Sequence, residues 1–422
     1  MSSSIPRTTT TTSSPFFSFP SFPSFSSDNN ASMDLQDNFT NVDNMTENCQ
    51  LFCKVNACTL EELRECVPDY IYPTPMEWLF ITLHTIIFTV GVLGNFLVCF
   101  VVLRSRHMQS VTNLFIVNLA VADLIVLIFS SPPTVLQTVT ESWFLGEAMC
   151  KIAHLIQTQS IAVSVQTLCA IAVERYFAIC RPLKSRITRK KVTITVLTIW
   201  TVGTSVALPS AVYMQLQPSF VDPELSKYLA YCELDLHPVS ERVYNLVLIV
   251  ALYLVPMVTI GVFYAIISHH LWNVQVPGVT VRGTKRELCY RSHTEAQLSS
   301  RKKVAKMLIA IVLLFAMCYL PLNLLFALRY TNILNSIRDW EGLPIVFTTA
   351  HWLVYFNSAF NPVVYNFMSA KFKKEFRSVF RCYRSERSHL LHESTFGQGK
   401  FRVQQRTPIT QSTELDPNGA HV

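Results

Sequence analysis

Seven long apolar segments separated by short polar stretches organise residues 78–368. The first runs from Trp78 to Leu103, the second from Val111 to Leu136 and the third from Glu147 to Ile179. The fourth spans Val192 to Met214 and the fifth Glu241 to Leu271, with Pro256 inside it. The sixth runs from Arg301 to Arg329 around Pro321, and the seventh from Leu343 to Met368 around Pro362. A helix crosses a bilayer with about 20 mostly apolar residues. Proline is tolerated in such helices because neighbouring groups satisfy the freed carbonyls. The pattern predicts an all-α membrane protein, a seven-transmembrane helix bundle. After it, Phe367, Phe372, Phe376 and Phe380 recur at helical spacing among basic residues. That spacing predicts a short amphipathic helix over 369–382, lying on the inner leaflet.

The ends read differently. Residues 1–77 form an N-terminal segment, of which 1–32 are Ser/Thr/Phe/Pro-rich and expected to be disordered. This stretch lacks the basic and continuous apolar regions of a cleavable signal peptide, and Met33 is an alternative start. Residues 383–422 are expected to form a disordered cytoplasmic tail. Its Ser394, Thr395, Thr407, Thr410, Ser412 and Thr413 are candidate phosphorylation sites, and a phosphorylated tail is expected to engage arrestin. Cys382 sits where palmitoylation is plausible, with a free cytosolic thiol as the alternative.

Charge orients the spans. Half of the 422 residues are hydrophobic and 15% are charged, with a net charge of +7. Arg104 and Arg106 follow the first segment; Arg181, Lys184, Arg186, Arg189, Lys190 and Lys191 lie between the third and fourth. Lys285, Arg286, Arg291, Arg301, Lys302 and Lys303 lie between the fifth and sixth, and Lys371, Lys373, Lys374 and Arg377 follow the seventh. These alternate connections all fall on one side, which the positive-inside rule assigns to the cytoplasm. An odd number of spans then puts the N-terminus outside. Residues 1–77 hold ten acids against Arg7, Lys54 and Arg64. They also hold sequons at Asn30, Asn38 and Asn44 and four close cysteines, Cys49, Cys53, Cys58 and Cys66. That combination suits an oxidising, glycosylating compartment. Zinc binding by the four cysteines is the alternative, but they lack paired Cys-x-x-Cys knuckles. The asymmetry describes a plasma-membrane topology, with the lipid bilayer as a partner and nucleic acid as none.

Polar residues inside spanning helices are costly and usually functional. Asp123 lies in the second segment, Asn95 in the first, Ser164 in the third, and Asn357 and Asn361 in the seventh. Facing inward, they would make one polar cluster able to hold a sodium ion through oxygen ligands. A protonated, hydrogen-bonded Asp123 with a structural role is the other reading, and spacing does not choose between them. Glu174-Arg175-Tyr176 closes the third segment at its cytoplasmic end. It is either a solvated pair or a switchable lock.

Gly94-Asn95, Leu119-Ala120-Val121-Ala122-Asp123, Glu174-Arg175-Tyr176, Trp200, Pro256, Cys318-Tyr319-Leu320-Pro321 and Asn361-Pro362-Val363-Val364-Tyr365 occur in order, one per segment. This ordered set resembles the helix anchors of rhodopsin-like (class A) G-protein-coupled receptors. Further stretches look like the orexin and allatotropin neuropeptide receptors. They include His107-Met108, Phe115-Ile116-Val117-Asn118-Leu119, Thr140-Glu141-Ser142-Trp143, Ala305-Lys306-Met307-Leu308 and His351-Trp352-Leu353-Val354-Tyr355. Tyr319 stands where most of the class carry Trp, and it points to the same group.

The resemblance implies a peptide receptor, not an enzyme, that couples to a heterotrimeric G protein with calcium mobilisation. It implies a bridge between Cys150 and Cys232. It places Thr134, Gln157, Tyr244, Phe326, Arg329, His351 and Tyr355 around the ligand. Gln157 stands where amine receptors carry Asp; a neutral amide that donates and accepts suits an amide-rich peptide terminus. Phe326 stands where orexin receptors carry a hydrogen-bonding Asn, which implies an allatotropin-like or other amidated peptide rather than orexin. Glu233 joins Asp222, Glu224, Asp235 and Glu241 on an acidic outer face that would attract a basic peptide. On the inner face, Glu174, Arg175, Tyr176, Tyr264, Tyr319, Pro321, Asn361, Pro362 and Tyr365 would rearrange as the sixth helix swings outward, with Leu183 packing on the G protein.

Three other classes fit less well. A retinal protein needs a lysine in the seventh segment, and none lies between Leu343 and Met368. A membrane enzyme or a transporter would show a His-Glu-x-x-His site, a phosphate-binding glycine loop or an inverted hydropathy repeat, and none is present. No cofactor is implied beyond the sodium ion.

Overall fold

The computed structural model describes residues 71–181, 188–218, 230–273, 285–331 and 342–379, with backbone only for 285–294. Seven long helices form a bundle. They are α1 (Pro75–Arg104), α2 (Val111–Thr140), α3 (Gly146–Cys180), α4 (Arg189–Tyr213), α5 (Pro238–Asn273), α6 (Lys285–Tyr330) and α7 (Leu343–Met368). A further helix, α8, occupies 370–379. The compact unit that holds the bundle ends at Phe376, and a second begins at Arg377.

Local chemistry sets the helix ends. Thr74 and Glu77 form a capping box at the start of α1, each side chain bonding the other's backbone N–H. Ser110 caps α2 and Thr188 caps α4. Within α2 the backbone breaks at Ser130, where Pro132 and Pro133 bring no N–H to the ladder. The interior Pro256 of α5 is preceded by a π-helical turn at Val250–Leu254, which takes up the missing donor.

The six helices α1–α6 are long and apolar enough to cross a membrane. The seventh, α7, has 26 residues, none of them Asp, Glu, Lys or Arg. Its polar residues His351, Asn357, Ser358 and Asn361 are buried inside the bundle. Large apolar side chains such as Phe96, Leu197, Val258 and Met317 stand exposed on the outside. That inversion of the soluble pattern suits lipid as solvent.

Within the bundle α3 packs on α2, α4 and α5, and α7 packs on α1 and α6. The α1–α7 approach is close. A Cβ on Gly94 would meet Pro362 at 2.9 Å, and one on Gly91 would meet Ala359 at 3.0 Å. Asn95 pins the same seam by donating to the Gly91 and Ser358 carbonyls, both at 2.9 Å.

The seven-helix bundle is as expected, and two helix bounds need correction. Between α4 and α5 the bundle also carries a short antiparallel hairpin, formed by β1 (Met214–Pro218) and β2 (Ala230–Leu234), with Leu216 opposite Cys232. The second helix continues past Leu136 to Thr140. The sixth begins at Lys285, sixteen residues before Arg301, because the polar stretch ahead of the apolar segment is helical too. The remaining boundaries agree within a few residues. The calls on 1–70 (Asn30, Asn38, Asn44, Cys49, Cys53, Cys58, Cys66), on Leu183, on Asp222, Glu224 and Lys227, and on Cys382 and the tail lie outside the described residues.

Candidate functional site

The hairpin closes one end of the bundle. Cys150 in the first turns of α3 is bonded to Cys232 on β2, with Cα atoms 5.8 Å apart. The α2–α3 connection holds β2 as well. Trp143 N–H donates to the Ala230 carbonyl at 2.7 Å, and Ser142 Oγ accepts from Ala230 N–H at 3.2 Å. Trp143, Cys150, Ala153, Met214, Cys232 and Leu234 form one buried cluster, with Tyr244 packed against it.

Beneath the hairpin the polar residues form distinct groups. Thr134 Oγ and the Tyr355 hydroxyl lie 2.7 Å apart. Ser130 Oγ donates to Gln157 Oε1 at 3.2 Å and lies 3.4 Å from the Tyr355 hydroxyl. One network therefore joins α2, α3 and α7. The His84 ring meets Tyr355 edge-on from α1, at 6.2 Å between centroids. Phe326 on α6 packs edge-on against His351 on α7 at 6.3 Å. Tyr244 bonds elsewhere, with its hydroxyl 3.2 Å from Ser210 Oγ on α4. Between α3, α5 and α6 a cleft is lined by Thr158, Asn245, Leu248, Tyr319, Asn323 and Phe326, among others.

Of the eight ligand residues expected from sequence, Thr134, Gln157 and Tyr355 share the network, and Phe326 and His351 share a ring contact. Glu233 and Arg329 interact electrostatically at the mouth. Tyr244 stands apart, on the α4 side. Ser130, Thr158, Asn245 and Asn323 were not expected. None carries a charge to mark it; Asn323 is a single amide in an apolar run, whereas Ser130 adjoins Ser131 and Thr158 lies between Gln157 and Gln159.

The Glu233 carboxyl on β2 is pushed up to about 7, first by burial and then by Asp235, with Arg329 pulling it back. Tyr231 on the same strand is raised by burial and by Glu233.

Halfway through the bundle, Asn361 Nδ2 donates to Asp123 Oδ2 at 2.9 Å. Five buried amide, carboxylate and serine oxygens have no hydrogen-bond partner among the described residues: Asn95 Oδ1, Asp123 Oδ1, Ser164 Oγ, Asn357 Oδ1 and Asn361 Oδ1. They come from α1, α2, α3 and α7.

At the end opposite the hairpin, Arg175 binds Glu174 through Nε and one terminal nitrogen, both at 2.5 Å. Thr112 on α2 donates to the same carboxylate at 2.9 Å. Tyr264 on α5 is buried within the electrostatic reach of both residues. Tyr176 packs on Phe263 of α5 at 5.5 Å. Tyr365 is fully buried and stacks on Phe372 of α8 at 5.5 Å, with its hydroxyl unpartnered. In α6, Tyr319 stacks on Phe315 at 4.2 Å, two residues from Pro321. Tyr253 of α5 donates to the Ala316 carbonyl of α6 at 2.9 Å.

Comparison with known proteins decides the family. The model of the seven-transmembrane receptor (rhodopsin) family matches residues 94–365. The chain belongs to the rhodopsin family of seven-transmembrane receptors. Neuropeptide FF receptor 1 of Rattus norvegicus is 33% identical to this receptor over 353 residues, covering 82% of this chain and 80% of the relative. The Homo sapiens neuropeptide FF receptor 1 is 35% identical over 347 residues, covering 78% and 79%. The receptor is thus a class A G-protein-coupled receptor and a multi-pass protein of the plasma membrane, and it is not an enzyme.

Proposed function

We propose that this receptor is activated by a basic, C-terminally amidated neuropeptide arriving at the hairpin end. The observation that carries this reading is the network that joins Gln157 through Ser130 to Tyr355 and Thr134, beneath an acidic, cross-linked hairpin. A neutral network of donors and acceptors suits a terminal carboxamide. Glu233 at the mouth suits a cationic side chain. Phe326 and His351 supply apolar ring faces between the two. The likeness to neuropeptide FF receptors supports a ligand of that kind. The orexin- and allatotropin-like stretches, with Tyr319 in place of Trp, support an allatotropin-like peptide as the second reading.

The hairpin end faces outward on this account, since the basic connections lie at the other end. Peptide binding favours the state in which α6 swings away about Pro321, to the extent that the peptide prefers that state. Arg175 then leaves Glu174, and with Tyr264 and Tyr365 admits a heterotrimeric G protein. Calcium mobilisation follows, and arrestin engages the phosphorylated tail. Asp123, Ser164, Asn357, Asn361 and Asn95 fit a sodium ion. The five unpartnered oxygens are hard donors of the type such an ion takes, whereas a merely protonated Asp123 has one proton to donate and satisfies at most one of the other four. The ion would stabilise the resting state.

The test is binding of matched peptides to cells expressing the receptor. An amidated basic peptide should displace a labelled agonist at least about tenfold better than its free acid, a difference of about 1.4 kcal/mol. Equal potency of amide and acid would contradict the assignment of the network.

A further inference from the structure

A helix that swings must first be held. Arg175 on α3 is engaged by Glu174 on its own helix. The α6 stretch Arg301-Lys302-Lys303 offers it no opposite charge. α6 packs on α7 and α5 and scarcely on α3. Two contacts with α5 bracket its moving part, one at the bend and one toward the end opposite the hairpin.

At the bend, Pro321 brings no N–H to the helix ladder, and its ring crowds the backbone one turn back. The Ala316 carbonyl lies just before that turn and accepts the Tyr253 hydroxyl of α5 at 2.9 Å. Tyr253 belongs to the π-helical turn Val250–Leu254, a local widening of the kind common at functional sites. Farther along α6, the Lys302 ammonium lies 6.0 Å from the ring centroid of Trp272, in the last turn of α5. Tryptophan is the ring that attracts a cation best. A hydrogen bond is lost beyond about 3.5 Å and a cation–π contact beyond about 6 Å. Neither contact survives an outward swing of α6.

We propose that Tyr253 and the Lys302–Trp272 pair are positioning residues for G-protein activation: they clasp α6 to α5 in the resting receptor and release it before the bundle opens. The clasp rests on the swing of α6 described above. It is separate from the Glu174–Arg175 pair, which lies within α3. It also joins the ligand end to the bend, because Tyr253 lines the cleft that Phe326 shares. A ligand acceptor that takes the Tyr253 proton frees the Ala316 carbonyl.

Cys318 reports on α6 without any ligand. It is a free thiol between Ala316 and Pro321 and is only 4% exposed. Full-length receptor in lipid nanodiscs would be treated with N-ethylmaleimide, and alkylation at Cys318 followed by mass spectrometry. Tyr253→Phe and Trp272→Leu should each speed it by about threefold or more, and together by about the product. Cys169 on α3, also a free thiol, should keep its wild-type rate. An unchanged rate at Cys318 overturns the clasp, as does equal acceleration at Cys318 and Cys169, which would mean general loosening.

Conservative variants test the chemistry. Trp272→Phe and Lys302→Arg keep a ring and a cation and should stay near wild type, whereas Lys302→Met should match Trp272→Leu. A Trp272→Phe receptor as fast as Trp272→Leu overturns the cation–π half of the clasp. Nucleotide exchange on heterotrimeric G protein, measured without peptide, should rise in the variants that speed Cys318. If alkylation of Cys318 alone accelerates while exchange stays at the wild-type level, α5 does hold α6, and the reading of the swing as the activating step falls.

Discussion

Asn361 on α7 donates to Asp123 on α2 at 2.9 Å, which leaves the second carboxylate oxygen of Asp123 buried and unpartnered. The sequence left Asp123 with two readings, structural or ion-binding. We propose the second, because unsatisfied polar atoms in a bilayer cost several kcal/mol each. Sodium should therefore lower agonist affinity in membranes. Asp123→Asn should remove the sodium dependence, measured by agonist competition in sodium chloride against choline chloride. Equal sodium sensitivity in wild type and variant would count against the ion.

The Glu174–Arg175 pair is buttressed by Thr112 from another helix. Arg175→Ala should impair coupling at normal surface levels. Thr112→Val should do the opposite and raise basal signalling by loosening Glu174. Basal and agonist-driven calcium or inositol phosphate, normalised to surface receptor, would check both. Unchanged basal activity in Thr112→Val would remove the buttress from the lock.

Phe326 contacts His351 and lines the α3–α5–α6 cleft. Phe326→Asn exchanges a ring face for a hydrogen-bonding amide. The potency ranking of orexin-like, allatotropin-like and neuropeptide FF-like peptides should change. A ranking that stays the same would take Phe326 out of the ligand contact.

Glu233 has its carboxyl held at about 7 by burial and by Asp235. It is charged above that value and neutral below it. Affinity for a basic peptide should therefore fall as pH drops from 8 to 6, by up to about tenfold. Glu233→Gln should flatten the profile at the low-affinity level. A wild-type profile that is flat over this range, or that rises toward acid, would be inconsistent with Glu233 meeting a cation.

The bundle was legible because spanning helices announce themselves by long apolar runs, and because one anchor motif marks each. The hairpin was not, since Met214–Pro218 and Ala230–Leu234 are strands of only five residues, too short for the alternation in Met214-Gln215-Leu216-Gln217 to stand out beside the adjoining helices. The N-terminal extension of α6 was hidden because Lys285–Ser300 is mostly polar and carries no long apolar run. Within the site, Gln157 and Tyr355 were found by position in a motif. Ser130 was missed because Ser130-Ser131 ahead of two prolines reads as a turn, whereas here the Ser130 hydroxyl bridges Gln157 and Tyr355.

The central claim, that a peptide drives this chain to activate a G protein, is tested most directly by nucleotide exchange. The purified receptor in lipid nanodiscs would be mixed with heterotrimeric G proteins and a panel of amidated basic peptides, neuropeptide FF-like and allatotropin-like among them. At least one peptide should accelerate exchange on the wild type, and none should do so on Arg175→Ala. Silence across the panel with a folded wild-type receptor, or acceleration that survives in Arg175→Ala, would contradict the account.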